Sequence, residues 1–183
     1  QAILDGGDST WINYYDSDGS LIAENQTHVE DPGYPMDVAV SDNGEIMMVT
    51  YQFIDGSDTT SYVAFYNFGD VGQNEDDRIV SGYTYEGVVI PEIRYFDAER
   101  SVALREDGFT VYKGRQIPKE SATEKVDKEI VSTFCDDDTI GMVFKNGNKD
   151  KQYTMKVYSI NGSLRFTKDF NIPYTTIKIS GGN

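Results

Sequence analysis

The chain has 183 residues, enough for one substantial core. Its formal charge of −15, with 31 acidic residues against 16 scattered basic ones, sets aside nucleic acid and anionic membrane surfaces as partners. A single cysteine and a single histidine rule out an intrachain disulfide and a cysteine-rich or two-histidine metal site, so neither metal nor cofactor is expected.

No apolar run reaches the roughly 18 residues that a spanning helix needs, so no membrane contact by this segment is expected. No signal peptide is visible; Gln1 rather than Met opens the chain, which implies that an upstream segment was removed. Thirteen Tyr and nine Phe, with many Val, Ile and Thr, favour half-buried strands. Seventeen Gly and abundant Asp and Asn supply tight turns between them.

In chain order, residues 1–5 read as a strand and 12–15 as a second one, ending in Tyr14-Tyr15 before the turn Asp16-Ser17-Asp18-Gly19. A weaker strand at 21–24 leads into a polar linker over 25–33. Residues 36–40 form an apolar strand, then Ser41-Asp42-Asn43-Gly44, whose Asn-Gly pair suits a hairpin because both central positions want φ > 0. A strand at 45–51 follows, then a long loop at 52–61, a strand ending in Tyr66, and a charged outer strand at 78–85.

The pattern then repeats. Strands are expected at 90–96 and 101–105, and a third ends in Tyr112 after the minimal loop Glu106-Asp107-Gly108. Residues 121–130 admit two readings: Ser121-Ala122-Thr123-Glu124 has the form of a helix capping box, whereas the repeat register calls for an irregular outer strand and loop. Further strands fall at 130–135, 140–145, before Tyr158, at 164–170 and at 175–179, with a last turn at 180–183.

The four strand-ending tyrosines, Tyr15, Tyr66, Tyr112 and Tyr158, are separated by 51, 46 and 46 residues. A period near 46 residues fits the four-stranded blade of a β-propeller. The expected fold is therefore all-β and propeller-type: residues 1–183 form one domain of about four four-stranded blades, sixteen strands in all. Because rings of more than four blades are commoner, the segment is expected to be a portion of a larger propeller, and an incomplete ring is expected to self-associate.

Two stretches carry a family resemblance. Gly33-Tyr34-Pro35-Met36-Asp37-Val38-Ala39-Val40-Ser41 with Asn43-Gly44 is one. Phe65-Tyr66-Asn67-Phe68-Gly69-Asp70-Val71-Gly72-Gln73-Asn74, followed by Asp77-Arg78-Ile79-Val80, is the more specific. With Val157-Tyr158-Ser159-Ile160-Asn161-Gly162 and Ile177-Lys178-Ile179-Ser180-Gly181, they resemble an uncharacterised family of clostridial-type Gram-positive bacteria. That resemblance implies a membrane-anchored protein whose seven- or eight-bladed propeller lies outside the membrane, the anchoring helix lying outside this chain. It implies no activity and no catalytic residue.

Candidate chemistry is sparse. Asp16-Ser17-Asp18-Gly19-Ser20 superficially resembles a calcium loop, but its Gly falls at the fourth place and Thr27 stands where a Glu is needed. It reads as a hairpin turn, as do Asp136-Asp137-Asp138 and Glu75-Asp76-Asp77. His28 sits in the polar linker and reads as exposed and inert; Cys135, beside Phe134, reads as a small buried side chain. Asn25-Gln26-Thr27 and Asn161-Gly162-Ser163 match the glycosylation pattern but read as loop residues.

Tyr34 and Tyr174, each beside a Pro on the way into an apolar strand, are the two candidate ligand-binding residues; core packing is their competing and favoured reading. The functional expectation is a non-catalytic extracytoplasmic module presenting loops to a protein or glycan. The alternatives are a carbohydrate-active hydrolase using paired carboxylates and a purely structural domain.

Overall fold

A computed structural model describes residues 2–6, 10–24, 33–69 and 78–172, with side chains described from Ile12 onward. Among these residues the chain forms fifteen strands and no helix, arranged as four antiparallel sheets in which sequence neighbours are spatial neighbours. The first sheet holds β1 (Ala2–Gly6), β2 (Thr10–Tyr15) and β3 (Leu21–Ala23). The second holds β4 (Tyr34–Val40), β5 (Ile46–Asp55), β6 (Asp58–Asn67) and β7 (Ile79–Glu86). The third holds β8 (Glu92–Tyr95), β9 (Arg100–Arg105), β10 (Gly108–Lys113) and β11 (Lys119–Lys125). The fourth holds β12 (Ile130–Asp136), β13 (Thr139–Lys145), β14 (Tyr153–Ser159) and β15 (Leu164–Phe170).

The all-β expectation and the meander order agree with this architecture. One reading changes and one alternative is resolved. The long loop expected at residues 52–61 is instead a hairpin, because Gln52 to Asp55 pair with Asp58 to Ser61 and leave only Gly56 and Ser57 at the turn. Phe53 and Ile54, paired with Thr60 and Thr59, favour a pleated strand, and Gly56 supplies the positive φ of 61° that the turn needs. The capping-box sequence at Ser121 lies in β11, whose residues pair with β10, so the outer-strand reading holds there. The strand expected at 175–179, the turn at 180–183, Tyr174, His28, residues 25–27 and residues 75–77 lie outside the described residues.

Three apolar layers hold the sheets together, one between each consecutive pair. Met47, Val49 and Tyr51 of β5 pack with Ala64 and Tyr66 against Ile12 and Tyr14 of the first sheet. The alternate residues Ile46 and Met48, with Val63 and Phe65, pack against Ile93, Ala103 and Tyr112 of the third sheet. Val102, Leu104, Phe109 and Val111 meet Ile140, Met142 and Tyr158 of the fourth. Successive strand residues point to opposite faces, so a central strand lying between two neighbouring sheets must be apolar at every position. That is why 46–49 of β5 read Ile-Met-Met-Val without alternation, each side chain fully buried.

The recurring tyrosines have a common structural setting. In each third strand the pairing with the outer strand slips by one residue just before the tyrosine, between Tyr14/Tyr15, Phe65/Tyr66, Val111/Tyr112 and Val157/Tyr158. Such a bulge increases the local twist and re-aims the side chain. Tyr66, Tyr112 and Tyr158 each enter the layer shared with the preceding sheet. Tyr112 meets Phe65 and Tyr158 meets Phe109 edge-on, both at 5.0 Å between ring centroids. Their hydroxyls are also engaged: Tyr66 with Tyr51 at 2.7 Å, Tyr112 with Tyr85 at 2.5 Å, and Tyr158 donating to Glu124 at 2.8 Å.

Truncating one of these rings leaves a cavity in a sheet-to-sheet layer. Tyr112→Ala is expected to lower unfolding stability by about 3–5 kcal/mol, and Tyr112→Phe, which loses only the hydroxyl contact, by about 1 kcal/mol, both read from urea unfolding midpoints. A second expectation concerns alkali. Burial pushes the Tyr66 hydroxyl up to about 12, and that of Tyr51 further still. An unfolded tyrosine ionises near pH ~10, so the folded state binds the proton more tightly. This stabilisation is complete below the unfolded value and is lost as pH rises through the folded one. Unfolding above pH ~10 should therefore coincide with a step in tyrosinate absorbance rather than follow a smooth titration.

Candidate functional site

Antiparallel meanders bring particular chain positions to one end of each sheet. At one end of the second sheet, β4 starts with Tyr34, β5 ends with Asp55, β6 starts with Asp58 and β7 ends with Glu86. The connection over residues 87–91 leaves from this end and lies on the face of the second sheet: Ser61 Oγ donates to the Val88 carbonyl at 2.7 Å, and Thr50 Oγ1 to that of Ile90 at 3.2 Å. The corresponding end of the third sheet presents Glu92, Arg105, Glu106 and Lys125.

A groove of about 670 Å³ opens along this rim, between the hairpin at residues 55–58 and the connection. Hydroxyls of Ser57, Thr59 and Thr60 line it, together with the carboxylates of Asp58, Glu86 and Glu106. Its walls are tied. Glu106 accepts from the Val89 amide at 3.1 Å and its own amide donates back to the Val89 carbonyl at 3.0 Å. Gly87 N donates to the Thr59 carbonyl at 2.7 Å. A smaller recess of about 340 Å³ shares Glu86 and is lined by Tyr85, Arg105, Glu120 and Lys125.

Arg105 is the most constrained charge at the rim, only 4% exposed. Its Nε and one terminal nitrogen donate to both oxygens of Asp107 at 2.7 and 2.9 Å, and the guanidinium lies 4.9 Å from the centre of the Tyr85 ring. Tyr85 in turn hydrogen-bonds Tyr112 and Glu120, and burial first, then the Glu120 contact, pushes its hydroxyl well above the ordinary tyrosine range. These groups hold the second and third sheets together under the rim and are engaged with one another.

Tyr34 stands on the same rim and is 62% exposed, so the core-packing reading of this residue is overturned. Its position goes with this: β4 opens at the rim, where Tyr34 pairs with Gln52 of β5 while Phe53 lies against Gly33 just before it. Ile54 and Met36, 61% and 41% exposed, share β5 and β4 with it. Polar ties lock these inner strands. Asp37 Oδ2 accepts from the Ile93 amide of β8 at 2.9 Å, and Arg94 of β8 donates to the Cys135 carbonyl of β12 at 2.6 Å.

The other sequence candidates resolve as turns and packing. Asp16 Oδ1 accepts from the Asp18 and Ser20 amides at 2.9 and 2.8 Å, which is the hairpin reading of that acidic loop. Asp138 is paired with Arg165 at 2.9 Å, and that hydrogen bond, with one from Thr139, holds its carboxyl below the usual range. Asn161-Gly162-Ser163 closes the turn after β14. Burial pushes the Cys135 thiol up to about 12, so the neutral thiol prevails at ordinary pH. Among the described residues, no three His, Cys, Asp or Glu side chains converge as a metal site would require. The groove itself was not foreseen; the signal for it was Asp55-Gly56-Ser57-Asp58, a two-residue turn between β-forming runs.

Removing the Asp37 carboxylate should loosen the inner strands. Asp37→Ala is expected to lower stability by about 1–2 kcal/mol and to speed amide exchange at Ile93, measured by hydrogen exchange.

Comparison with solved structures finds the crystal structure of a eukaryotic initiation factor, with a TM-score of 0.55 at 12% identity, covering 93% of this chain and 39% of that one. The likeness concerns the fold, and the chain spans well under half of that protein's length. Comparison with curated protein sequences gives no match. Residues 1–183 match a family of unknown function, DUF5711.

Proposed function

The chain belongs to the family of unknown function DUF5711, and from its own geometry we propose a non-catalytic interaction module that presents the Tyr34 rim to a protein or glycan. In this reading the four sheets are consecutive blades of a propeller larger than four, standing outside the membrane on an anchor beyond this segment. The meander order and the doubly buried central strands support the blade reading; the extracytoplasmic placement is carried by the sequence resemblance alone.

One observation carries the binding role. Tyr34, 62% exposed, rises from a strand tied to its neighbour through Asp37, so a large amphipathic ring is offered from a fixed backbone and only its side-chain rotamer need be ordered. Exposed tyrosines on rigid supports are the usual anchors of protein interfaces and sugar contacts. The adjoining groove supplies hydroxyls and carboxylates that accept hydrogen bonds from a polyhydroxylated or cationic ligand.

Glycan arrays and displayed peptide libraries identify ligands for the wild-type chain. Tyr34→Ala is expected to weaken any such ligand at least about tenfold while leaving the thermal midpoint unchanged. Binding that survives both Tyr34→Ala and Glu86→Gln would place recognition elsewhere. The grouping of Asp58, Glu86 and Glu106 along one groove favours a second reading, a carboxylate-dependent glycoside hydrolase. Turnover of aryl glycosides, lost in both Glu86→Gln and Glu106→Gln, would replace the first reading with the second.

A further inference from the structure

The third sheet carries a row of cations at the end opposite the rim. Lys113 of β10 lies directly across from Arg100 of β9 on one side and from Lys119 of β11 on the other. Directly opposite residues share a face of the sheet and sit about 5 Å apart, and like charges in that relation are destabilising. The face is the one turned to the fourth sheet, since Lys113 stands two residues after Val111 and Arg100 two before Val102. Across three strands the row spans roughly 10 Å.

Only part of this charge is neutralised within the chain. Asp97 holds Arg100, at 2.7 Å from Nε and 2.6 Å from a terminal nitrogen. Arg94, on the same face, reaches Asp137 at 3.6 Å. Lys113, Lys119 and Arg115 of the connection between them are exposed, and among the described residues none of the three makes an ion pair. Glu120, next in sequence to Lys119, pairs with Tyr112 on the other face and accepts from Tyr85. Glu99 touches the segment through its backbone carbonyl, which accepts from Gly114 N at 2.8 Å.

The connection that bears Arg115 is pinned to the second sheet. Asn67 Nδ2 donates to the Gln116 carbonyl and the Tyr83 hydroxyl to the Pro118 carbonyl, both at 3.0 Å. Gly114 has φ of 148°, and a Cβ there would lie 2.4 Å from the Ile117 carbonyl oxygen, so the tight approach needs glycine. Ile117, between Arg115 and Lys119 in sequence, is 48% exposed. A fixed backbone thus offers three cations free of ion pairs together with one aliphatic side chain.

We propose that this patch, Lys113, Arg115, Ile117 and Lys119, docks an acidic peptide segment of a partner protein, one that also carries an aliphatic residue. The chain has 31 acidic residues against 16 basic ones, yet here cations stand side by side at a cost to folding. Carboxylates of a partner relieve that repulsion, and charge complementarity of this kind sets the register of a docked segment. The surroundings fix the shape of the ligand. Asp97, Glu99, Asp137 and Asp138 occupy hairpin tips at the same end of the third and fourth sheets, so a flat anionic surface meets their repulsion while a single extended segment contacts the cations alone. The inference is independent of ligand binding at the Tyr34 rim, which lies at the other end of the sheets.

Fluorescence anisotropy of a fluorescein-labelled Asp-Leu-Asp-Glu-Leu-Asp-Glu peptide, titrated with the 183-residue chain, tests it. The expected result is saturable binding that weakens as salt rises, and none of the matching peptide with Asn and Gln in place of the acids. Lys113→Gln, Arg115→Gln and Ile117→Ser should each weaken binding at least about threefold. Lys119→Glu should abolish binding and yet raise the thermal midpoint, because it sets an opposite charge across from Lys113. Loss of binding in a variant more stable than the wild type is not a folding defect. Lys125→Gln and Lys149→Gln, which remove the same charge elsewhere, should leave binding unchanged, as should Tyr34→Ala on the rim. Equal weakening by Lys125→Gln or Lys149→Gln would overturn the proposal, and so would failure of the acidic peptide to bind. Tighter binding to vesicles of phosphatidylglycerol and phosphatidylcholine, lost in the same patch variants, would overturn it in favour of an anionic surface.

Discussion

The structure depends on the packing of each sheet's post-bulge tyrosine into the face of the sheet before it. The central strands of these meanders carry apolar residues on both faces, and those faces are buried only by stacking sheet on sheet. Tyr112 illustrates the solution: its ring meets Phe65 and Tyr83, its hydroxyl meets Tyr85, and its backbone is paired on both sides within its own sheet. The bulge that precedes it adds twist where the neighbouring sheet must nest. Because the device recurs at Tyr66, Tyr112 and Tyr158, stability is passed from sheet to sheet, much as in a repeat array.

Polar contacts do a different job. They fix the ends of the strands rather than the faces. Thr50 and Ser61, both buried, hold the connection between the second and third sheets by its carbonyls, while Asp37 and Arg94 tie successive inner strands. Each engages a backbone group in the connection or on an edge strand. The outcome is a rim whose backbone is pinned from beneath, so the side chains left over from packing, Tyr34 and the groove carboxylates, are displayed from a stiff support. Recognition on such a rim needs little reorganisation, and side chains there can vary without cost to the layers below.

Much of the fold was legible because the repeat writes the same chemistry several times. The tyrosine spacing located the third strands, and Asn43-Gly44 and Asp136-Asp137-Asp138 marked turns by their backbone preferences. The hairpin at residues 55–58 looks like a loop locally because Gln52, Asp55, Ser57 and Asp58 are individually polar, and pairing with the other arm, which no local pattern reports, decides the matter. Ser121 to Glu124 fitted a capping box only while their partners were ignored; opposite Val111 and Phe109 they form an ordinary outer strand. Tyr34 was half legible: its Pro neighbour and its place before a strand were visible, but exposure is a property of what packs nearby. The groove was invisible for the same reason, since Asp58, Glu86 and Glu106 come from three distant segments.

Charge is the remaining constraint, and its distribution explains how so acidic a chain tolerates close contact between sheets. Among the described residues, Asp16, Asp42, Asp137 and Glu106 sit on turns, and Asp37, Glu120, Glu124 and Asp169 on edge strands of their sheets. Where a layer does hold charge at its margin, opposite signs meet, as Lys156 does with Glu124 at 3.6 Å. With screening over about 8 Å at physiological salt, carboxylates at distant points of the surface barely sense one another, whereas Glu86 and Glu106, from the second and third sheets, line one groove. Repulsion between whole molecules survives at low ionic strength and fades as salt rises. Like charge on every copy opposes edge-to-edge aggregation, the hazard that unpaired strand edges carry.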